Sequence, residues 1–280
     1  MKNPLVIYHG QCLDGMTAAW AVKKALGGGD YVAALHGDAP PDVAGRDVVI
    51  VDFSYRRPVM EEMAKTAKSL LVLDHHKSAQ ADLEGLSFAK FDMERSGAGM
   101  AWDWFHPGQR RPHLVDFVED GDLWRHALPG AREFLLRLEV EEMSFEAWER
   151  VADMSGHELE AYIAQGEVLR RAFDREVAAL LRDCYAVTLD GESGLAVNAT
   201  SKYTSELGHH LAVMSGSFGM VWRQVEGNLK VSLRSSGDYD VAHLAGKFGG
   251  GGHRNAASFR LSANAEGYAR VGGKACGSKA

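Results

Sequence analysis

Short apolar runs that end in acids or imidazoles recur through the first third of the chain. Leu5-Val6-Ile7-Tyr8 leads into His9, Val48-Val49-Ile50-Val51 into Asp52, and Leu70-Leu71-Val72-Leu73 into Asp74-His75-His76. An unbroken apolar run bounded by polar residues is the pattern of a parallel strand buried on both faces. Between these runs the apolar period lengthens to that of a helix, at Met16–Leu26 and from Pro58 to about Lys68. Tyr31–Leu35, followed by His36-Gly37-Asp38, reads as a further strand, and Gly27-Gly28-Gly29 as a helix C-cap rather than a phosphate cradle. Strands alternating with helices predict an α/β fold built on a parallel sheet. The polar residues after each run then share the carboxyl edge of the sheet, where open α/β sheets bind ligands.

From Ser96 the pattern is helical, with Ala98, Ala101, Trp102 and Phe105 on one face. Ser96-Gly97-Ala98-Gly99 offers either backbone N–H groups to a phosphate or small residues for packing a helix on the sheet. A short helix over 112–120 ends in Glu119-Asp120-Gly121-Asp122-Leu123-Trp124. Residues 131–183 read as mostly helical, with breaks at Gly156 and Gly166. After Asp183 short strands take over: Tyr185–Leu189 and Leu195–Val197 around a Gly191–Gly194 turn, a helix at 201–213, a hairpin of Gly219–Gln224 with Leu229–Arg234, and a last strand at Ala257–Leu261. Phe248-Gly249-Gly250-Gly251-Gly252-His253-Arg254 stands out, because successive glycine N–H groups can form an anion-binding nest. The expected organisation is a larger α/β domain over 1–155, a helical linker over 156–183, a smaller α+β domain over 184–270, and a disordered tail over 271–280.

Composition narrows the function without fixing it. Hydrophobic residues make up 46% and charged residues 25% of 280, the balance of a globular protein with a sizeable core. No apolar run approaches the roughly 18 residues that span a bilayer, and no signal-peptide pattern opens the chain. Cys12, Cys184 and Cys276 are too few and scattered for a disulfide framework, so a cytoplasmic location is expected. A net charge of −7 argues against wrapping long duplex DNA, and membrane association is not expected either.

His9, Asp14, Asp52, His75 and an acid near residue 120 converge on one sheet edge in this reading. Carboxylates and imidazoles suit Mn²⁺, Mg²⁺, Co²⁺ or Zn²⁺. A carboxylate at the middle strand end could bridge two ions, the arrangement of metal-assisted phosphoryl hydrolysis.

The Asp74-His75-His76 triplet and the glycine-rich loop ending in His253 together resemble the DHH–DHHA1 phosphoesterase superfamily, over nearly the whole chain. The resemblance implies an N-terminal metal domain, a helical linker and a C-terminal substrate domain, with the active site in the cleft between domains. It implies His9 and Asp14 as ligands of separate metals, Asp52 as the bridge and His75 as a ligand beside Asp14. Asp74 is expected to orient His75, and His76 to contact the phosphate or protonate the leaving group. Asp120 is taken ahead of Asp122 as the fourth-motif ligand. Gly249, Gly250, Gly251, Gly252 and His253 match the family's phosphate loop, Arg234-Ser235 its upstream arginine, and Arg254 adds charge.

One position departs from the pattern. Where the family carries an Asp two residues before the Asp-Gly of the first motif, this chain has Cys12. A Cys12 thiolate would favour Zn²⁺, Fe²⁺ or Co²⁺; a small packing residue is the slightly favoured alternative. Mn²⁺ is the first expectation for the cofactor. The expected substrates are small nucleotides or short single-stranded oligonucleotides, including linear and cyclic dinucleotides. An exopolyphosphatase or pyrophosphatase, or a nucleotide-binding protein without turnover, is the alternative, and the oligomeric state, a homodimer included, is left open.

Overall fold

The computed structural model describes residues 3–272 and 274–275. The chain divides into two compact units, Met1–Arg170 and Arg171–Ala280.

In the first unit the order is β1 (Leu5–His9), α1 (Leu13–Leu26), β2 (Asp30–Ala34), β3 (Asp47–Val51), α2 (Arg57–Thr66), β4 (Ser69–Asp74), α3 (Lys77–Asp82), β5 (Ala89–Phe91), α4 (Gly97–Phe105), α5 (His113–Asp122), α6 (Ala131–Leu138), α7 (Phe145–Asp153) and α8 (His157–Leu180), which continues past the division. The five strands form one parallel sheet in the order β2-β1-β3-β4-β5. The period-2 alternation of strands sends Val6, Val49, Val51, Leu71 and Leu73 into a core with α1, α4, α5, α6 and α7. It sends Leu5, Ile7, Val48, Ile50 and Val72 into a second core with α2. Both faces are therefore buried, which is why the strands read as continuous apolar runs. The order reverses beside β1, so β1 and β3 flank a topological switch point and His9 and Asp52 sit at its carboxyl edge.

Gly166 does not break a helix. It lies inside α8, where a Cβ would come within 1.9 Å of the Glu133 carbonyl oxygen, so its absence lets α8 cross α6 closely. The breaks in the helical region fall at residues 139–144 and 154–156 instead.

The second unit continues with β6 (Tyr185–Leu189), β7 (Glu192–Asn198), α9 (Thr204–Ser215), β8 (Phe218–Val225), β9 (Asn228–Ser235), α10 (Val241–Gly246), β10 (Gly251–His253), β11 (Ala256–Ser262), α11 (Ala265–Val271) and β12 (Lys274–Ala275). Its mixed sheet has the order β10-β11-β9-β8-β7-β6-β12. Glu226 and Gly227, both at positive φ, join β8 to β9 as a two-residue hairpin turn. Gly194 belongs to β7, and the turn before it is the tighter Asp190-Gly191. Within the stretch expected to be a disordered tail, Val271 closes α11 and Lys274–Ala275 pairs with β6; residues 273 and 276–280 lie outside the described residues. Among the described residues no helix is long and apolar enough to cross a membrane.

Candidate metal centre

Asp52 is the pivot of the site. It follows β3 directly, is 2% exposed, and takes a left-handed φ of 53°. Such backbone is unfavourable for a residue with a Cβ and is held here by the Asp52 N–H bond to the Leu73 carbonyl. The turn aims the carboxylate between two groups. Its Oδ1 lies 3.2 Å from His75 Nε2, and its Oδ2 lies 3.3 Å from His9 Nδ1.

On the Oδ1 side, His75 Nε2 is also 3.7 Å from Asp14 Oδ2 and 3.6 Å from Asp122 Oδ2. On the Oδ2 side, donor atoms of His9, Cys12 and Asp52 all lie within 4.8 Å of one another. Asp14, His75 and Asp122 meet the same limit as a separate group.

Asp14, in the first turn of α1, is held from behind by α4. Its carboxylate accepts from Gly97 N at 2.6 Å and Ala98 N at 2.9 Å. The helix N-terminus that could have received a phosphate thus receives a side-chain carboxylate, and its positive end offsets part of that charge. Ser96 caps the same helix by accepting from Gly99 N. Sequence reading missed the support below: buried Glu119 accepts from Ser96 N and Arg95 Nε and pairs with Arg111. The signal available was only that Glu119 belongs to the acidic cluster.

Burial and neighbouring charges together set the titration of the site's groups. Burial, then Asp52 and Asp122, push the Asp14 carboxyl well above its ordinary range. Burial would lower the His75 pKa, but the Asp52 hydrogen bond and the Asp122 and Asp14 charges outweigh it and push it up to about 10. Burial would raise Asp52, yet hydrogen bonds from His75 and His9 bring its carboxyl well below the usual range. Asp52 Oδ2 is nonetheless buried without a well-formed hydrogen bond. Three carboxylates around one imidazole, with an under-satisfied buried oxygen, fit divalent cations, and oxygen and nitrogen donors match that use.

Asp120 and Asp122 exchange the roles expected of them. The Asp120 carboxylate accepts from Ala127 N at 2.9 Å and Leu128 N at 3.4 Å, shaping the loop after α5, while Asp122 faces His75. In that loop Trp124 and His126 both hold positive φ, with ring centroids 4.5 Å apart.

Asp74 also acts differently from expectation. Its Oδ1 meets His76 Nδ1 at 2.7 Å and touches His75 only through the backbone N–H, at 2.8 Å. The imidazole it orients is therefore His76. Burial lowers the His76 pKa, but the Asp74 hydrogen bond and charge overcome this and raise it. His36 is a further imidazole that sequence reading left without a role. Its ring lies 5.0 Å from Phe53, 5.6 Å from His9 and 6.4 Å from His76.

In the second unit the glycine loop is ordered, and for a different reason than a nest. Gly249 N and Gly250 N donate to the carbonyls of Gly246 and Ala245 at the end of α10. Gly251–His253 then pairs with β11. At Gly252, with φ 145°, a Cβ would stand 2.4 Å from the Ala256 carbonyl oxygen, so glycine is required. Ser235 is turned inward: its Oγ donates to the Tyr239 carbonyl and accepts from Asn255 Nδ2. Arg254 is engaged by Asp238 through Oδ1 and the carbonyl. Arg234 is half-buried. It donates to the Leu233 carbonyl and Ser205 Oγ, no carboxylate pairs with it among the described residues, and burial draws its pKa down to about 10.

An Asp- and His-lined centre at the carboxyl edge of a parallel sheet, followed by a mixed-sheet unit, defines a two-part α/β protein. Residues 184–270 match the DHHA1 domain. The Asp74-His75-His76 centre lies ahead of that match in the chain. A relative, the uncharacterized protein R106 of Acanthamoeba polyphaga mimivirus, is 26% identical over 288 residues, covering 92% of this chain and 67% of that protein. Among solved structures, the pGpG-specific phosphodiesterase PggH of Vibrio cholerae aligns with 15% identity and a TM-score of 0.49, covering 93% of this chain and 94% of that one. An exopolyphosphatase-related protein of Bacteroides fragilis aligns with 13% identity and a TM-score of 0.48, over 96% and 90% of the two chains. An uncharacterized Helicobacter pylori G27 protein aligns with 17% identity and a TM-score of 0.46, over 93% of each.

Proposed function

We propose that this chain is a metal-dependent phosphodiesterase acting on short nucleotides. The observation that carries the reading is the Asp52 carboxylate, whose two oxygens face separate donor groups. Asp14, His75 and Asp122 would hold one divalent ion, and His9 and Cys12 the other, with Asp52 shared. When bound, such ions supply Lewis-acid polarisation of a phosphoryl group and activation of water. His76 lies beside the shared carboxylate, its Nδ1 engaged by Asp74. The Asp74 hydrogen bond and charge raise its pKa and favour the protonated ring, so it is the proton donor to the leaving oxygen in this reading. The Asp74 carboxylate holds its ring and stabilises the charged form. Arg234 is the candidate anchor for a second phosphate, and a nucleobase is the remaining recognition element.

The deciding experiment is a substrate panel in Mn²⁺, Co²⁺ and Mg²⁺: pApA, pAp, cyclic nucleotides, polyphosphate and bis-p-nitrophenyl phosphate. Release of 5′-mononucleotide from pApA, abolished by EDTA, is the expected result. Hydrolysis of polyphosphate alone would replace this reading with a phosphoanhydride hydrolase.

Cys12 is half-buried at the N-cap of α1, makes no capping bond, and presents its sulfur to His9 and Asp52. Burial and then Asp52 push its thiol pKa up, and a soft cation would offset that effect. Elemental analysis should show less Zn²⁺ or Co²⁺ per chain in Cys12→Ser. An unchanged content would exclude thiolate ligation.

A further inference from the structure

Three imidazoles gather on the open side of the metal centre, and the chemistry described so far uses only two of them. The ring centroids lie 5.6 Å apart for His9 and His36, 6.2 Å for His9 and His76, and 6.4 Å for His36 and His76. His9 Nδ1 faces Asp52, and His76 Nδ1 meets Asp74. His36 is exposed, and among the described residues neither of its ring nitrogens has a hydrogen-bond or ion-pair partner.

The His36 ring is nonetheless held in place. Ala34 pairs with His9 across β2 and β1, so the turn after β2 leaves the sheet beside His9. That turn closes on itself: Leu35 N donates to Asp38 Oδ2 at 2.8 Å, and Asp38 N to the Leu35 carbonyl at 3.0 Å. Gly37 supplies the φ of 106° that the turn requires. Against the imidazole lies Phe53, 5.0 Å away and tilted by 31°, itself met edge-on by Tyr55 at 4.9 Å. Phe53 is buried and follows Asp52 directly, so one loop aims the central carboxylate and carries the shelf for His36. A polar ring fixed by its backbone and its shelf, with both nitrogens unengaged, is arranged for a ligand. That ligand is not a cation, because among the described residues His36 belongs to none of the donor groups whose atoms converge within 4.8 Å, whereas His9 and His76 each do. Rings at these separations admit a phosphoryl oxygen between them within hydrogen-bonding reach.

We propose that His36 is a catalytic residue whose ring N–H donates to a non-bridging oxygen of the phosphoryl group under attack. This rests on the phosphodiesterase reading of the same site and adds to it a group that touches the substrate. A neutral imidazole carries one N–H in either tautomer. The proton stays on the ring throughout, so no bond is made or broken at His36, and His76 remains the proton donor to the leaving oxygen. Negative charge that grows on the phosphoryl oxygens meets a donor already in place. Removing one such preorganised donor costs roughly a hundred- to a thousandfold in kcat.

The test compares the full-length protein with His36→Phe, His36→Ala and His36→Gln in Mn²⁺. His36→Phe keeps a ring on Phe53 and removes both nitrogens, whereas His36→Gln restores an N–H. Hydrolysis of pApA gives kcat and KM, calorimetry gives the affinity for inorganic phosphate, and elemental analysis gives metal content. Inorganic phosphate in mildly alkaline buffer carries a second charge, as the transition state does and the diester does not, so it reports on the same contact. His36→Phe and His36→Ala should lose about a hundredfold in kcat with little change in KM. Both should bind inorganic phosphate at least tenfold more weakly, and His36→Gln should recover most of each loss. Metal content and Tm of His36→Phe should match the wild type. A His36→Phe protein with wild-type kcat and phosphate affinity overturns the proposal and makes the ring a packing group. Loss of Mn²⁺ from that variant overturns it in favour of a metal ligand. A wild type that leaves pApA intact, but whose phosphate affinity still falls in His36→Phe, sinks the phosphodiesterase reading and leaves the contact standing.

Discussion

Asp52→Asn should lower phosphodiester hydrolysis at least a thousandfold while the chain remains folded. The substitution keeps the shape of the side chain but removes the charge that faces both donor groups, at 3.2 Å from His75 and 3.3 Å from His9. Lewis-acid assistance is worth several kcal/mol, and each 1.36 kcal/mol is a factor of ten in rate. About 4 kcal/mol therefore corresponds to roughly three orders of magnitude. The check is the rate of mononucleotide release from pApA, alongside metal content and melting in EDTA. A variant within tenfold of wild type would show that Asp52 is not the shared ligand.

Gly97→Ala should be nearly as damaging, although the residue carries no chemistry. A Cβ there would stand 2.4 Å from the Asp52 Cβ and 2.9 Å from Asp14 Oδ2. Neither neighbour can give way without leaving the site. Overpacking of this kind typically costs about 1–3 kcal/mol, and misplacing a reacting constellation by 1 Å costs roughly a hundredfold in rate. The expected result is a fall of several degrees in Tm and at least a hundredfold loss of kcat. Gly246→Ala is the control, because a Cβ there meets nothing within 4 Å and should leave both unchanged. An active, stable Gly97→Ala protein would show that Asp14 and Asp52 need not be held as they are here.

These two positions also mark the limits of reading the sequence. The strand ends were legible because a strand buried on both faces leaves an unbroken apolar run, and whatever follows it must emerge at one edge. That logic places His9, Asp52 and His75 at one edge, where the structure brings their side chains together. Asp14 was marked by the same first motif, but its anchoring was not, because a helix N-terminus looks alike whether its N–H groups meet a phosphate or a distant carboxylate. Asp120 and Asp122 lie two residues apart at the end of α5, where rotation of the last turn decides which one enters the site. No local pattern encodes that rotation. Asp74 illustrates the same difficulty, since a carboxylate can serve either of the two imidazoles that follow it. The glycine loop is ambiguous in another way: glycines demanded by close strand packing have the same composition as an anion-binding nest.

The spread of the donors along the chain has a consequence for how the site comes into being. His9 and Asp122 are separated by most of the first unit, and the Asp14 carboxylate accepts from the backbone of residues 97 and 98. No hairpin or single βαβ unit contains a usable pair of ion sites. Contacts of such long sequence separation form late, because loop closure must precede them. During synthesis Asp14 would wait for α4 and α5 before gaining its backbone donors and Asp122, so partially folded chains have little means of completing both donor groups prematurely. Tight metal uptake would then mark completed folding of the first unit, and its time course would follow the slowest step of that folding rather than the arrival of the ion.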